Sequence, residues 1–279
     1  MSQWPIGLST GCFYKTSIFE CLTHIRSAGF SIIEVCSFPA HLDYHDANAV
    51  DRASQLIREL DLDPYSFHAP FAEHIDITSL DDQVRSHSLD EMIRAAEAAA
   101  SLGVRYYVIH PGPENSNLPD QQRIARIEHA ANALNQVSRR CQQLGIRLVL
   151  ENMLPHLFFG RTRDVLWILG ALETTEVGIC LDTGHAYLSG DLQTVAHKLS
   201  GHLWMVHASD NHGQRDDHLP PGEGGIAWPT FVSQLSRLHF HGTIILEIAG
   251  SSDIPATLTR AGRSRHFLQR LSRTLRDEH

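Results

Sequence analysis

Three separate segments of the chain repeat one pattern, in which a helical stretch ends near a glycine and a run of apolar, mostly β-branched residues follows. The segments are RSAGFSIIEV (26–35), ASLGVRYYVIH (100–110) and CQQLGIRLVLEN (141–152). Gly29, Gly103 and Gly145 fit the position just after a helix, where a left-handed backbone is needed to end it. The pattern therefore predicts an α/β fold assembled from helix–strand units.

Reading the rest of the chain with the same template predicts eight strands. They lie near residues 6–9, 32–36, 65–68, 106–110, 148–151, 178–182, 203–207 and 244–247. Helical patterns separate them, most clearly at 82–102 and 122–144, and Ser189 or Asp191 is the predicted cap of the helix after the sixth strand. Eight units in 279 residues fit a single-domain (β/α)8 TIM barrel that covers residues 1–279.

A doubly wound open sheet is the structural alternative to the barrel. It gives no reason for eight evenly spaced units. The chain also contains no G-x-G-x-x-G or G-K-[ST] phosphate loop that would support it. We therefore expect the α/β class with the TIM-barrel architecture.

The charge and the cysteine content narrow the classes of partner. The formal net charge is −9, from 23 Lys and Arg against 32 Asp and Glu, and the chain has no basic run, which argues against a nucleic-acid partner. The five cysteines are odd in number and widely spaced, so we expect reduced thiols rather than disulfides or a thiolate zinc site. The N-terminal residues lack a signal-peptide pattern and no apolar stretch could span a bilayer, so we expect a cytoplasmic protein with no membrane partner; homo-oligomerisation stays open.

Histidines and carboxylates occur where the predicted strands end. From the third strand to the eighth they are His68, His110, Glu151, Asp182, His207 and Glu247, and Glu34 has a similar place on the second strand. In a TIM barrel these strand ends face one rim, so the side chains are predicted to converge on one pocket. Each residue alone would be interpreted as an ordinary rim or capping residue. Together they would crowd like charges in a partly dry pocket, and a metal ion relieves that repulsion.

The loop after the seventh predicted strand concentrates further ligand-type residues. Residues 206–225 read VHASDNHGQRDDHLPPGEGG, with three histidines and three aspartates but too much proline and glycine for a helix or a strand. Asp216 and His218 would face the same way in an extended chain, and His185 follows the sixth strand closely. We expect these three residues to bind additional metal. The alternative is that His185 and His218 donate hydrogen bonds to a substrate.

The residue types also restrict the cofactor and the pocket wall. Nitrogen and oxygen ligands without thiolate suit Zn²⁺, Mn²⁺, Co²⁺ or Fe²⁺, and the candidate ligands provide for one to three ions per chain. Aromatic residues near the strand ends are candidate apolar walls for the face of a sugar. They are Phe13, Phe38, Phe71 and Trp228.

The motifs resemble those of the xylose-isomerase-like barrels, which include endonuclease IV, tagatose and psicose 3-epimerases, hydroxypyruvate isomerase and inosose dehydratase. The resemblance covers nearly the whole chain, through GLSTGCF (7–13), FHAPF (67–71), VIHPG (108–112), LVLEN (148–152), CLDTGHA (180–186), VHASDN (206–211), DDHLPPGEGGIAW (216–228) and ILEI (245–248). Together, LEN, LDTGHA and HLPPGEG are quite specific to this superfamily. They do not fix the reaction.

The epimerases and isomerases of the family imply one mechanism. Residues that match Glu151, Asp182, His207 and Glu247 hold one metal in those enzymes. The resemblance implies that the metal polarises the oxygens of a ketose while Glu151 and Glu247 move a proton at carbon and His185 binds a substrate hydroxyl. The epimerases usually have Arg where His218 stands, so the substrate contact of that Arg is not carried over.

Endonuclease IV implies a different mechanism. It binds three zinc ions with nine ligands, and this chain matches all nine residue types. The matching residues are His68, His110, Glu151, Asp182, His185, His207, Asp216, His218 and Glu247. Such a cluster binds a phosphate and activates water for phosphoester hydrolysis. The arginine- and lysine-rich DNA-binding loops expected of that enzyme are missing, since the segment after the first strand reads FYKTSIFECLTHI.

Three functional hypotheses follow. The leading one is a divalent-metal-dependent enzyme that isomerises or epimerises a small carbohydrate or sugar phosphate by metal-assisted proton transfer. The alternative is a phosphoester hydrolase of the endonuclease IV type with a trinuclear zinc site. The third is a non-catalytic barrel that binds a sugar.

Overall fold

Eight parallel strands follow one another around a closed barrel. The computed structural model describes residues 4–72, 74–115, 120–251 and 253–277. The strands are β1 (Ile6–Ser9), β2 (Ile32–Cys36), β3 (Asp63–His68), β4 (Tyr106–Ile109), β5 (Arg147–Glu151), β6 (Gly178–Asp182), β7 (Leu203–Ala208) and β8 (Thr243–Leu246). Each strand pairs with the next, and β8 pairs with β1 to close the sheet. The predicted (β/α)8 TIM barrel is confirmed, and the open-sheet alternative is wrong.

Helices connect successive strands on the outside of the barrel. They are α1 (Ile18–Ser27), α2 (Ala47–Glu59), α3 (Asp82–Leu102), α4 (Arg123–Leu144), α5 (Thr162–Ala171), α6 (Thr183–Leu188), α7 (Leu192–Leu199), α8 (Trp228–Arg237) and α9 (Ile254–Asp277), with short 3-10 helices at Thr10–Phe13, Asp120–Gln122 and Ser200–His202. Gly103 and Gly145 end α3 and α4 with φ of 82° and 75°, and Gly29 follows α1 with φ of 81°. Glycine tolerates this left-handed backbone, so the three predicted helix stops are confirmed.

The hydrophobic core has two layers, because successive side chains of a strand point to opposite faces of the sheet. A small cluster fills the inside of the barrel and consists of Tyr65, Val108, Val149, Cys180, Met205 and Ile245. A much larger cluster lies between the strands and the helices and includes the fully buried Phe67, Tyr107 and Leu150. Because the inner cluster fills the interior of the barrel, the polar pocket lies beyond it, at the carboxyl end of the strands.

Small shifts separate the predicted boundaries from the observed ones. β4 and β8 each end one residue earlier than predicted, so His110 and Glu247 follow their strands directly. Asp182 itself caps α6, the helix directly after β6, by accepting a main-chain hydrogen bond. Asp191 caps the next helix, α7, as predicted, whereas the prediction for Ser189 is wrong because it lies at the carboxyl end of α6.

The cysteines and the helix lengths bear on two further expectations. All five cysteines are buried and none is in a disulfide. Within the part of the chain that the structure describes, no helix combines the length and the apolar content needed to cross a membrane.

Gly178, at the start of β6, has no room for a side chain. A Cβ there would overlap the Trp204 ring, whereas a Cβ at Gly170 in α5 would meet nothing within 4 Å. We expect Gly178→Ala to lower the free energy of unfolding by roughly 1–3 kcal/mol, because the ring or the strand must move. Gly170→Ala should leave it unchanged or raise it by up to about 1 kcal/mol, since Ala favours a helix. Urea unfolding measures both variants, and equal effects would contradict the packing argument.

Candidate metal centre

Inward-pointing positions place most of the candidate ligands at the carboxyl end of the barrel. Five of them lie two residues after a member of the inner cluster: His110, Glu151, Asp182, His207 and Glu247. Because the side chains of a strand alternate between its faces, these five continue the inward-facing rows beyond that cluster. Strands β4 to β8 therefore deliver polar side chains to one pocket.

The nine predicted residues divide into three groups of mutually close ligand atoms. The first group is His68, His110 and Glu151; the second is Glu151, Asp182, His207 and Glu247; and the third is His185, Asp216 and His218. Within each group, one nitrogen or carboxylate oxygen per residue lies within 4.8 Å of all the others. Nitrogen and oxygen donors at such separations can surround a divalent cation.

Glu151 joins the first two groups through its two carboxylate oxygens. Its Oε2 lies 3.2 Å from Nε2 of His68 and 3.4 Å from Nε2 of His110. Its Oε1 lies 3.2 Å from Nδ1 of His207. The Glu151 side chain is only 2% exposed, so a dry carboxylate stands between two sets of imidazoles.

Three of the five histidines are oriented by the main chain. In His68, His185 and His218, Nδ1 lies 2.8, 2.8 and 3.0 Å from main-chain carbonyl oxygens. A carbonyl oxygen only accepts hydrogen bonds, so Nδ1 carries the proton in these rings and Nε2 faces the carboxylates. Histidines that bind metals commonly donate their other ring N–H in this way.

The other two histidines are held by carboxylates outside the three groups. His110 Nδ1 lies 2.7 Å from Glu114, and His207 Nε2 lies 2.9 Å from Glu34 on β2. Glu34 is completely buried and accepts a hydrogen bond from Ser66 at 2.8 Å. The sequence put Glu34 at the rim without a role and gave no signal for Glu114, because only the fold brings them against the imidazoles.

Several buried polar atoms of the groups have no hydrogen-bond partner among the residues that the structure describes. They are Oδ2 of Asp182, Oδ1 of Asp216 and Nδ1 of His207, although the last lies 3.0 Å from a Glu247 oxygen. Leaving such atoms buried and unpaired costs about 1–3 kcal/mol each. The donor set and its unpaired atoms therefore both fit a metal centre. Cys180 lies close to two members of the second group, but burial raises the pKa of its thiol and makes it a poor ligand.

Carboxylates around the imidazoles favour protonated rings in the metal-free protein. Burial lowers the pKa of His110, but its hydrogen bonds with Glu114 and Glu151 and their charges outweigh burial and raise the pKa to about 10. Burial also lowers the pKa of His218, and the neighbouring carboxylates, Asp216 first, raise it to about 10. A cation that binds here has to displace protons.

The carboxylates of the second group respond differently to the same surroundings. Burial raises the pKa of Asp182, the His185 charge lowers it, and the nearby carboxylates bring it to about 6. Burial raises the pKa of Glu247 as well, but the charge of the nearby His207 outweighs this and lowers it to about 2. The pocket is thus a set of mutually compensating charges.

The loop between β7 and α8 is built around the Asp210 carboxylate. This carboxylate accepts hydrogen bonds from the main-chain N–H groups of Asn211, Gly222 and Ile226 and from the indole N–H of Trp228. Asp210 is completely buried, so four donors hold the loop on one internal anchor. The anchor fixes the segment that carries two members of the third group.

Asp216 and His218 meet as predicted, but for a different reason. Nε2 of His218 lies 2.8 Å from Oδ2 of Asp216, and Nε2 of His185 lies 3.3 Å from the same oxygen. The predicted extended chain is wrong, since His218 has a φ of 45°. The two side chains therefore meet where the backbone is left-handed at His218, and not through the alternation of a strand.

A cavity of about 340 Å³ opens onto the three groups. Its lining includes His68, Asp216, His218 and Glu247 together with Tyr14, Phe38 and Phe71. Of the four predicted wall residues, Phe38 and Phe71 line this cavity, and the buried Phe13 lines a neighbouring one. The prediction for Trp228 is wrong, because its ring is 2% exposed and lies in the core. Tyr14, which the sequence did not single out, lines both cavities.

A model of the family described as "Xylose isomerase-like TIM barrel" matches residues 22–271 of the chain. The matched span runs from within α1 into α9 and includes all strands except β1. The chain belongs to this family. The resemblance seen in the LEN, LDTGHA and HLPPGEG motifs is confirmed.

Relatives of this xylose isomerase-like barrel carry names of different kinds. An uncharacterised protein of Methanocaldococcus jannaschii is 27% identical and covers 88% of this chain and 85% of its own. A protein named probable endonuclease 4 from Sulfurihydrogenibium sp. is 23% identical and covers 65% of this chain and 69% of its own.

Solved structures share the whole fold with this family member. A D-tagatose 3-epimerase-like protein superposes with a TM-score of 0.80 at 24% identity and covers 96% of this chain and 98% of its own. An IolI protein with a bound zinc atom superposes with a TM-score of 0.81 at 16% identity and covers the same shares. At these sequence identities the likeness establishes the barrel fold alone. The reaction has to be inferred from the residues of the site.

Glu34→Gln tests whether the carboxylate behind His207 prepares that ring for a metal. The amide lacks the charge that holds Nε2–H of His207, so we expect zinc affinity to fall roughly 10–100-fold in competition with a chromophoric chelator. Glu91→Gln is the matched control, because Glu91 bonds Tyr44 and His45 away from the pocket. Unchanged zinc affinity in Glu34→Gln would show that the contact has no such role.

Zinc binding should strengthen as pH rises. In the metal-free protein the pKa values of His110, His185 and His218 are about 10, 9 and 10, so zinc displaces protons at neutral pH. The raised pKa values also stabilise the metal-free fold below the ordinary histidine value of 6.5, and that contribution is lost as pH rises through about 9–10. Calorimetry in buffers of different ionisation enthalpy should detect the released protons. An affinity that is constant from pH 6.5 to 9 would contradict these assignments.

Proposed function

We propose that this chain is a divalent-metal-dependent hydrolase of phosphate esters that acts on a small carbohydrate or sugar-phosphate substrate. The observation that carries the proposal is the division of nine donors into three groups, two of them joined by Glu151. Adjacent cations suit phosphoester hydrolysis, because the attacking and the leaving oxygen each gain from a neighbouring positive charge. The relative named probable endonuclease 4 supports the same reaction type.

In the proposed reaction, water attacks phosphorus and a new P–O bond forms while the bond to the leaving alcohol breaks and one proton of the water passes to that alcohol. When bound, divalent ions supply the charge that polarises the ester and lowers the pKa of water. The protein holds the donors in place: Glu151 sets the spacing of two groups, and the anchored loop positions Asp216 and His218. Glu247, whose side chain is 22% exposed, faces the cavity and orients the attacking water.

The cavities suit a small substrate better than a polynucleotide. A cavity of about 340 Å³ is in the range of small-molecule sites. Of the described residues that line the two neighbouring cavities, Lys15 is the one Lys or Arg. Proteins that bind nucleic acid contact its phosphates with clustered Lys and Arg, which this rim and the net charge of −9 do not provide.

Isomerisation or epimerisation of a ketose, the leading hypothesis from the sequence, is the second candidate. The epimerase-like structure supports it through the shared fold, and Glu247 reaches the cavity as a proton-transfer group would. Glu151 fits it less well, because this carboxylate is enclosed by imidazoles and is 2% exposed. Because one of the two required bases is enclosed, we favour hydrolysis over isomerisation.

Metal content and ester hydrolysis test the proposal together. We expect about three ions per chain by elemental analysis, and release of p-nitrophenol from bis(p-nitrophenyl) phosphate that a chelator stops and added Zn²⁺, Mn²⁺, Co²⁺ or Fe²⁺ restores. His68→Ala combined with His110→Ala should remove about one ion and lower kcat at least about 100-fold. His45→Ala removes a carboxylate-bonded histidine outside the three groups and should change neither.

Each competing hypothesis predicts a different result in these experiments. One ion per chain, with full activity in the double variant, would contradict the trinuclear arrangement. The epimerase would be established by three results together. The protein would hydrolyse no ester, it would incorporate deuterium from solvent into a ketose, and Glu247→Gln would block that incorporation. Metal and sugar binding without turnover of ester or ketose would leave a sugar-binding barrel.

A further inference from the structure

Three aromatic side chains from three different loops form a continuous row beside the candidate metal centre. Tyr14 follows the 3-10 helix after β1, Phe38 lies in the loop after β2, and Phe71 lies in the loop after β3. The ring centroids are 5.1 Å apart between Tyr14 and Phe38 and 5.4 Å apart between Phe38 and Phe71. Phe71 also lies 5.1 Å from the rings of His68 and His110, so this aromatic row ends at the first group of ligands.

The aromatic row exposes apolar surface to the cavity. Tyr14 is 42% exposed, and Phe38 and Phe71 are half-buried. All three line the cavity that also reaches His68 and Glu247. Single exposed aromatic residues are common on protein surfaces, but three that contact one another in sequence at the mouth of a polar centre form a patch that a bound ring would cover.

The charges around the aromatic row indicate what kind of group fits there. Of the described residues that line this cavity, none is Lys or Arg. Lys15 stands at the outer end, with Nζ 5.2 Å from the centroid of the Tyr14 ring, and Arg215 is exposed and paired with Asp217. A second anionic group beside Phe38 and Phe71 would therefore find no Lys or Arg among the described residues that line this cavity, so the group that packs there is uncharged.

We propose that the aromatic row is a subsite for an uncharged planar ring carried by one ester group of the substrate. The inference rests on the proposed function, because the phosphate would lie on the three groups of candidate ligands while the ring packs along Phe71, Phe38 and Tyr14. Offset and edge-to-face contacts between rings add to the gain from burying their apolar area. The substrate class is thus a small phosphodiester that joins a carbohydrate to a planar ring.

Two phosphonate monoesters of equal charge, in which a P–C bond that hydrolysis does not cleave replaces the ester bond to the ring, isolate the contribution of the ring. We expect the zinc-loaded protein to bind methyl benzylphosphonate roughly 10-fold more tightly than methyl methylphosphonate by calorimetry. Phe38→Ala and Tyr14→Ala should each reduce that preference to about 3-fold or less and leave methyl methylphosphonate binding unchanged. Trp167→Ala removes an aromatic ring that is 49% exposed on α5, away from the cavity, and should keep the full preference.

The outcomes separate this subsite from the proposed function. Equal binding of the two phosphonates, or a preference that survives both variants, would overturn the aromatic subsite and leave ester hydrolysis standing. Binding of neither phosphonate would overturn both. Phe38→Leu keeps an apolar side chain but removes the planar ring, so it should lose the preference as well. This variant replaces Phe38→Ala in the test if circular dichroism shows that Phe38→Ala is unfolded.

Discussion

The structure depends on the mutual compensation of buried charges at one end of the barrel. Four carboxylates and five imidazoles lie within three overlapping or adjacent groups, mostly out of contact with water. A charge buried alone is too costly to keep, so each needs an opposite charge or a cation beside it. The closed barrel meets this need, because strands distant in sequence deliver their end residues to one rim.

A layer of supporting contacts decides which atom of each side chain faces the centre. Glu34 and Glu114 hold two of the imidazoles, and main-chain carbonyl oxygens hold the other three. Asp210 anchors the loop that carries Asp216 and His218. Because these contacts fix the rings before anything binds, little ordering is left for a metal to impose.

In the proposed function, chemistry and recognition come from different parts of the same rim. The candidate ligands come from β3 to β8 and the segments directly after them, whereas the aromatic row comes from the loops after β1, β2 and β3. Solved structures with epimerase names share this fold, and relatives named endonuclease match the chain in sequence, so one barrel can carry loops that differ in what they bind. In the proposed function, the strands position a phosphate and the loops select the group attached to it.

The sequence by itself determined the barrel and the residues at its rim, because both follow from patterns within short segments of the chain. A helix, a glycine stop and an apolar run predict each unit, and a histidine or carboxylate at a strand end, such as Glu151, must face the same rim as the others. Only the tertiary structure decided which of these residues meet. In the folded chain the two oxygens of Glu151 contact different groups, and Glu34 accepts a hydrogen bond from His207. Trp228 lies in the core, and the ring of Tyr14 contacts that of Phe38. Such contacts depend on strand register and on the paths of loops far apart in the chain, and no local pattern of residues encodes them.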